Sequence, residues 1–297
     1  PAGTIHAVDG VELSIAPGEV LGLVGESGCG KSTLGRTLVG LETADAGSVR
    51  FQGHELTGLS RRALRPHRRE MQMVFQDPYG SLNPRSAIGT IIEDPLRVHG
   101  VGTQRERRDM VAALLERVGL TAADATRYPH EFSGGQRQRI SIARAIALRP
   151  RLVICDEAVS ALDVSIQAQI VNLLRSLRQE FGLSYLFISH DLAVVGYLSD
   201  RIAVMYLGRI VEIGPKAAVL EHPAHFYTRS LFSALPGRSG NRRAREVPIG
   251  EPPSPLDPPP GCRFNPRCPA AIDRCRVETP LLRPVADGHF AACHLAD

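Results

Sequence analysis

No stretch of this sequence approaches the roughly 20 uninterrupted apolar residues that a helix needs to cross a bilayer. Its first residues do not read as a basic-then-apolar leader either. The expectation is a chain that stays in solution or meets a membrane only through partners. Lysine is almost missing: of 35 basic residues, only Lys31 and Lys216 are not arginine. A genome-wide bias towards arginine codons explains that without functional meaning, and it makes each surviving lysine a question about site chemistry. A formal net charge of +4, dispersed along the chain, is too small to argue for nucleic acid. No internal repeat divides the 297 residues, which suffice for one large domain or two smaller ones.

What is present begins at Lys31. It stands in "GESGCGKST", where Gly25 to Ser32 fit the pattern G-x-x-x-x-G-K-[ST]. Context strengthens the match. "EVLGLVG" before it reads as a buried strand and "KSTLGRTLVGL" after it has helical spacing, the strand-loop-helix setting that a phosphate loop requires. Gly25, Gly28 and Gly30 let successive N–H groups converge on a β-phosphate. Lys31 reaches β and γ oxygens as a compact ammonium, and the Ser32 hydroxyl can ligate magnesium. Glu26, Ser27, Cys29 and Thr33 complete the nucleotide loop, with Cys29 read as a small residue without a ligand role.

A second strand-like run, "RLVIC", ends in Asp156 and Glu157. Carboxylates at the carboxyl end of a buried parallel strand face the crevice where α/β sheets bind ligands. Asp156 can hold the magnesium and Glu157 can polarise an attacking water. An acidic pair ending a strand is otherwise a common solvated turn, so the phosphate loop decides the reading. A third strand, "SYLFISH", ends at His190, placed to reach a γ-phosphate from the opposite side. Finally, "FSGGQRQR" at residues 132–139 sets two glycines ahead of an arginine-rich helix, which offers backbone N–H groups to an anion. The plain alternative there is an ordinary glycine helix start.

In this order the residues resemble the ATP-binding cassette ATPases, over about residues 5 to 215. "GESGCGKST" matches Walker A, Gln76 in "VFQDP" the Q-loop, and "FSGGQ" the signature. "LVICDE" matches Walker B, "SALD" with Asp163 the D-loop, and His190 the switch histidine. Phe132 stands where leucine is commonest and Ala158 where proline is frequent; neither change removes a catalytic group. The resemblance implies an α/β fold: a P-loop NTPase (RecA-like) core, an antiparallel β subdomain, an inserted helical subdomain and a small Cys-rich C-terminal extension. It implies ATP hydrolysis with Mg2+ held by Ser32, Gln76 and Asp156, and with Glu157, His190 and Gln76 as the catalytic set. It also implies that Ser133, Gly134, Gly135, Gln136 and Asp163 serve ATP bound to a second cassette in a head-to-tail dimer, since the signature cannot reach its own chain's nucleotide.

A coarse pass gives the remaining organisation. "HAVDGVELSIAPGE" and "GSVRFQGHEL" alternate like half-buried antiparallel strands. From about residue 84 to 145 the periodicity turns helical, and in "RRDMVAALLERVGL" Met110, Leu114 and Val118 are expected on one face with Gly119 as the cap. "RIAVMYLGRIVEIG" reads as a hairpin closing the nucleotide-binding core. These boundaries give an ATPase domain over 1–232, a Pro-rich extended or mobile linker over 233–260 and a cysteine-bearing extension over 261–297. "GCRFNPRCPAAIDRCRVETPLL" and "HFAACH" resemble the C-terminal extension of oligopeptide and dipeptide importer ATPases. So does the upstream "EHPAHFYTRSLFSALP", although Phe226 stands where proline is usual.

Four cysteines lie in that extension: Cys262, Cys268, Cys275 and Cys293, spaced C-x5-C-x6-C-x17-C. In the reducing compartment expected of such an ATPase, clustered thiols favour a metal over disulfides. Zinc commonly takes close C-x2–4-C pairs, and none occurs here. Wider spacing suits a larger cubane, and the matching extension in peptide importers is associated with a four-iron four-sulfur cluster. The expectation is a 4Fe-4S cluster, with Zn2+ as the alternative, His289 or His294 as replacement ligands, and idle thiols without metal as the third reading. Cys155, in the Walker B strand, takes no part. A segment of about 35 residues builds little core, so the metal's role is expected to be structural rather than redox.

What the resemblance implies for function is the ATP-hydrolysing subunit of an oligopeptide or dipeptide importer, peripheral on the cytoplasmic face of the membrane. Its partners would be a second cassette, transmembrane permease subunits docking between the helical subdomain and the Q-loop, and indirectly an extracytoplasmic peptide-binding protein; nucleic acid is not among them. Import of nickel or a sugar is the alternative within transport. A soluble cassette ATPase is the alternative outside it, although the sequence carries neither a long coiled-coil insertion nor two cassettes. Related cassettes stack adenine on an aromatic residue upstream of "HAVDGV", and only five residues precede His6, none aromatic. The chain therefore reads as a segment of a longer polypeptide, for which the second cassette of a tandem protein is one fitting arrangement. Stacking by His6 is the other reading.

Overall fold

Short apolar runs ending in polar residues become parallel strands. Met71–Val74, Leu152–Asp156 and Ser184–Ile188 lie side by side in that order, with Met71 opposite Leu152 and Leu152 opposite Ser184. The middle strand has neighbours on both sides, so Val153, Ile154, Cys155 and the Asp156 side chain are all inaccessible. The computed structural model describes residues 4–233 and 250–296. Its contacts divide the chain into two units, and this one comprises Ile15–Glu19 and Gly35–Ile188.

The expected helical stretch belongs to the same unit, as Ile88–Val98, Gln104–Arg117 and Gly134–Ile146. Thr103 and Glu106 close a capping box at the start of Gln104–Arg117. Its end is set by Gly119, whose φ of 77° suits glycine and lets Leu120 N–H bond back to the Leu115 carbonyl at 2.9 Å. The buried stripe differs from expectation. Val111, Leu114, Leu115 and Val118 are buried, whereas Met110 is 39% exposed. The i, i+3, i+4, i+7 rhythm starts at Val111, and Met110 sits one residue, about 100°, off that face.

Antiparallel structure is shorter here than the alternation in the sequence suggests. Arg50–Phe51 pairs with His54–Glu55 across a turn in which Gln52 and Gly53 both take positive φ. Residues 10–16 do alternate between exposed and part-buried side chains, yet no strand forms among the described residues of 5–18. Their backbone bonds are isolated ones. Asp9 N–H reaches the Gly208 carbonyl, Arg201 donates to the Ser14 carbonyl, and Ser184 Oγ donates to the Ala16 carbonyl.

The other unit comprises Pro1–Ser14, Val20–Leu34 and Ser189–Asp297. Val20–Val24 runs parallel to Arg201–Tyr206, which folds back on Arg209–Pro215 as the expected hairpin. Leu207 and Gly208, with φ of 41° and 82°, make its two-residue turn. The C-terminal residues extend this sheet. His289–Ala291 pairs with Arg209–Pro215, placing Phe290 opposite Ile213, and Arg283–Ala286 pairs with His289–Ala291 in turn. Of the expected linker, 234–249 lies outside the described residues, as does Pro1. Among the described residues, no helix is long and apolar enough to cross a membrane.

Candidate functional site

The phosphate loop joins the strand Val20–Val24 to the helix Lys31–Leu38. Its glycines answer to packing as well as to a ligand. A side chain at Gly25 would strike the Met205 carbonyl, and one at Gly30 the Ala7 carbonyl; both also hold positive φ. Lys31 is 4% exposed and turned into the loop, where Nζ donates to the Gly25 carbonyl at 2.7 Å and to that of Glu26 at 2.9 Å. The ammonium is thus held where phosphate oxygens would gather. Cys29 Sγ lies 3.7 Å from Nζ, and burial pushes its thiol up, which keeps it neutral. Ser27 and Gly28 are exposed, and Ser32 and Thr33 are half-buried in the first helical turn.

His190, in the same unit, is exposed. The next residue, Asp191, caps the helix Leu192–Leu198 by accepting from the Ala193 and Val194 N–H groups.

In the other unit, the structure brings Gln76 and Glu157 together: Gln76 Nε2 donates to Glu157 Oε2 at 2.8 Å. Glu157 follows the buried Asp156 with φ of 47°, a left-handed conformation uncommon for a long side chain. It is held there by its N–H bond to the Ile188 carbonyl at 3.0 Å and by Ser160, whose N–H and Oγ both bond the Glu157 carbonyl. Beyond it Gln167 Nε2 ties down the Val159 carbonyl, and Asp163 leads into the helix Val164–Phe181, whose first residue is 82% exposed.

The signature loop is closed on itself. Ser133 Oγ accepts from Gln136 N–H at 3.3 Å, while Gln136 Oε1 accepts from Ser133 N–H at 3.0 Å. This capping box starts the helix Gly134–Ile146 and leaves Ser133, Gly134 and Gln136 exposed. Gly135 serves packing too, because a Cβ there would stand 2.5 Å from Ile166 Cγ2. Elsewhere in this unit, a cavity of about 370 Å³ is lined by Gln72, Ser81, Asp94, His99 and Arg144 among others.

The four C-terminal cysteines belong to one unit. Cys262 N–H bonds the Cys275 carbonyl at 2.8 Å, and the Cys262 thiol is pushed up to about 11, first by burial and further by Cys275, Cys293 and Cys268. Among the described residues, however, no three His, Cys, Asp or Glu side chains are grouped so as to hold a metal ion. The histidines expected as substitutes are engaged elsewhere: His289 Nε2 lies 2.7 Å from Glu212 Oε1, and His294 Nε2 lies 2.9 Å from the Glu278 carbonyl. Cys155 is buried in its strand, in the other unit.

One partner of the phosphate loop had no sequence signal. Arg267 bonds the Glu26 carboxylate from 241 residues away, with Nη1 to Oε2 at 2.9 Å and Nη2 to Oε1 at 3.1 Å. No spacing rule connects an arginine beside Cys268 with the second residue of a phosphate motif.

Comparison with known proteins gives two family matches: the ABC transporter family over residues 8–160, and the oligopeptide/dipeptide transporter C-terminal region over 211–275. The oligopeptide transport ATP-binding protein AppF of Bacillus subtilis is 52% identical over 297 residues, covering 99% of this chain and 90% of that protein. A probable peptide ABC transporter ATP-binding protein of Sinorhizobium fredii is 53% identical, covering 98% of this chain and 83% of its own. Among solved structures, a dimeric post-hydrolysis ATP-binding cassette bound to ADP and Pi superimposes with a TM-score of 0.65 at 30% identity, covering 71% of this chain and 90% of that one. The structure of cbiO1 from Clostridium perfringens, part of the ABC transporter complex cbiONQ, gives 0.66 at 28% identity, over 73% and 84%.

Proposed function

This chain belongs to the ABC transporter family, and on that premise we propose that it hydrolyses ATP to energise the import of oligopeptides or dipeptides. The observation that carries the hydrolytic part is the strained Glu157 with its carboxylate fixed by Gln76. A base that must hold a water in line is useful only if its own rotamer is fixed, and Gln76 supplies that. ATP would lie on the loop Gly25–Thr33 with Lys31 at its β and γ oxygens, and its Mg2+ would be held by Ser32, Gln76 and Asp156. His190 would meet the γ-phosphate. The bound ion would neutralise charge developing on the phosphates, while this chain's residues orient the water and take its proton.

Ser133, Gly134, Gly135, Gln136 and Asp163 serve the ATP of a second cassette in a head-to-tail dimer. The outward-facing signature and the exposed Val164 beside Asp163 support this reading. A short helix of a permease subunit would dock at the cavity lined by Gln72, Asp94 and Arg144, and the cavity's place beside the strand that leads to Gln76 supports this. The chain then sits on the cytoplasmic membrane face through those subunits. The domain boundaries at 1–232, 84–145 and 261–297 belong to the same reading.

Cys262, Cys268, Cys275 and Cys293 would hold a four-iron four-sulfur cluster, in preference to zinc. Four free thiols within one short segment support it, and such a group would act as a staple for a segment with little core. The functional reading is tested by purifying the native protein from membranes and measuring ATP hydrolysis with and without peptide. Recovery with integral membrane subunits and peptide-stimulated turnover is expected. A lone ATPase, indifferent to membranes and peptides, would favour the non-transport alternative.

A further inference from the structure

A buried guanidinium needs a reason. Arg267 is 6% exposed, its Nε has no hydrogen-bond partner among the described residues, and it lies 5.9 Å from the ring centres of both Tyr206 and Phe264. Those rings pack on Tyr227 in one aromatic cluster. An apolar side chain of similar volume would serve that cluster better, because burying a charge with an unsatisfied N–H costs stability. What the guanidinium gains is the forked pair of bonds to Glu26 and a bond to the Tyr206 hydroxyl at 3.3 Å.

Glu26 is where the phosphate loop is fixed. Its N–H donates to the Tyr227 hydroxyl at 2.8 Å, its carbonyl accepts from Lys31 Nζ, and its carboxylate takes Arg267. A second tie runs parallel. Arg263 bonds the Leu207 carbonyl and Asp9, and the adjoining Gly208 N–H bonds the Cys29 carbonyl at 2.8 Å. Each arginine is the sequence neighbour of a cysteine, Arg263 of Cys262 and Arg267 of Cys268. The fold of the cysteine-bearing segment therefore decides where both guanidinium groups point.

We propose that Arg267 is a positioning residue for the phosphate loop. Through Glu26 it holds the loop in its ATP-binding shape, so that ATP affinity depends on the folded C-terminal segment. The proposal rests on the ATPase reading. Loop N–H groups that must be ordered when ATP arrives bind more weakly than groups already in place, so the cost falls on affinity and spares the chemical step.

The test is a double-mutant cycle in the full chain, with Arg267→Met, Glu26→Gln and both together, reading the Kd for ATP, kcat at saturating ATP and the melting temperature. Each single change should raise Kd roughly tenfold, with kcat within about threefold of the parent. The double change should also cost roughly tenfold, because the second removes nothing that the first has left. A hundredfold loss in the double mutant, or an unchanged Kd in either single mutant, overturns the proposal. So does a fall in melting temperature with Kd intact, which is what a merely structural arginine would give. If Arg267→Met does not fold, Arg267→Lys takes its place in the cycle, because it keeps the charge and loses the forked pair of bonds. A parent chain that binds no ATP would sink the ATPase reading instead.

Discussion

Replacing His225 by glutamine should remove a large part of the protein's sensitivity to acid. His225 is 2% exposed, and its Nδ1 accepts the Tyr227 N–H at 3.0 Å at the start of the helix Phe226–Ser233, which a protonated ring could not do. Burial holds its pKa down at about 4, against a pull upward from the Glu212 carboxylate and with some help from Arg229. In the unfolded chain the ring titrates near 6.5. Between those two values the unfolded chain binds a proton that the folded chain refuses. The native state is therefore at full strength above about pH 6.5 and weakens as pH falls towards 4. The shift corresponds to about 2 kcal/mol lost between pH 7 and pH 5, and about 3 kcal/mol once pH falls below 4. Urea unfolding measures this, followed by far-ultraviolet circular dichroism because the chain has no tryptophan. Between pH 7 and 5 the parent should lose about 2 kcal/mol more than His225→Gln, in which other titrating groups are common to both proteins. Losses that agree within about 0.5 kcal/mol would refute the argument.

Three further outcomes are expected. Glu157→Gln should keep ATP binding while lowering kcat by roughly 10² to 10⁴, and should accumulate ATP-bound dimers; near-normal phosphate release would remove Glu157 from its role. Glu212→Ala should cost roughly 3–5 kcal/mol in urea unfolding, since the Ala224 and His225 N–H groups and the His289 ring lose a wholly buried acceptor. A loss below about 1 kcal/mol would mean that water replaces the carboxylate. Anaerobically purified protein should be brown and contain iron, and Cys268→Ser should bleach it and loosen the C-terminal segment; colourless protein with stoichiometric zinc would replace the cluster with the alternative metal.

The strand-loop-helix around Gly25–Ser32 and the strands ahead of Asp156 and His190 were legible because their signals are local. "GESGCGKST" carries its own turn, and "LVICD" and "SYLFI" became the strands that their apolar runs announced. The helix ending before Gly119 was legible for the same reason, while the choice of Met110 over Val111 for its inner face depended on packing partners that one segment does not contain. Alternation over residues 10–16 marks a half-buried segment, but a strand also needs a neighbour, and none pairs with it among the described residues. At the signature, sequence logic gave both glycines to a ligand, whereas Gly135 is also spoken for by Ile166. Arg267 was beyond reach altogether: its partner lies at the other end of the chain, and nothing local distinguishes it from the chain's other arginines.

The strand His289–Ala291 has a consequence for how the protein is made. Until it docks, Arg209–Pro215 presents an open edge whose Ile210, Val211 and Ile213 side chains are buried in the finished fold. Its cover is synthesised more than 70 residues later, which at ribosomal speed leaves that edge uncovered for roughly 4 to 15 seconds. During that interval the newborn chain is open to pairing with another copy of itself. Once the tail has docked, the outermost strand instead shows Arg283 and Pro284, a charge and a residue without an N–H, which are poor invitations to a further strand.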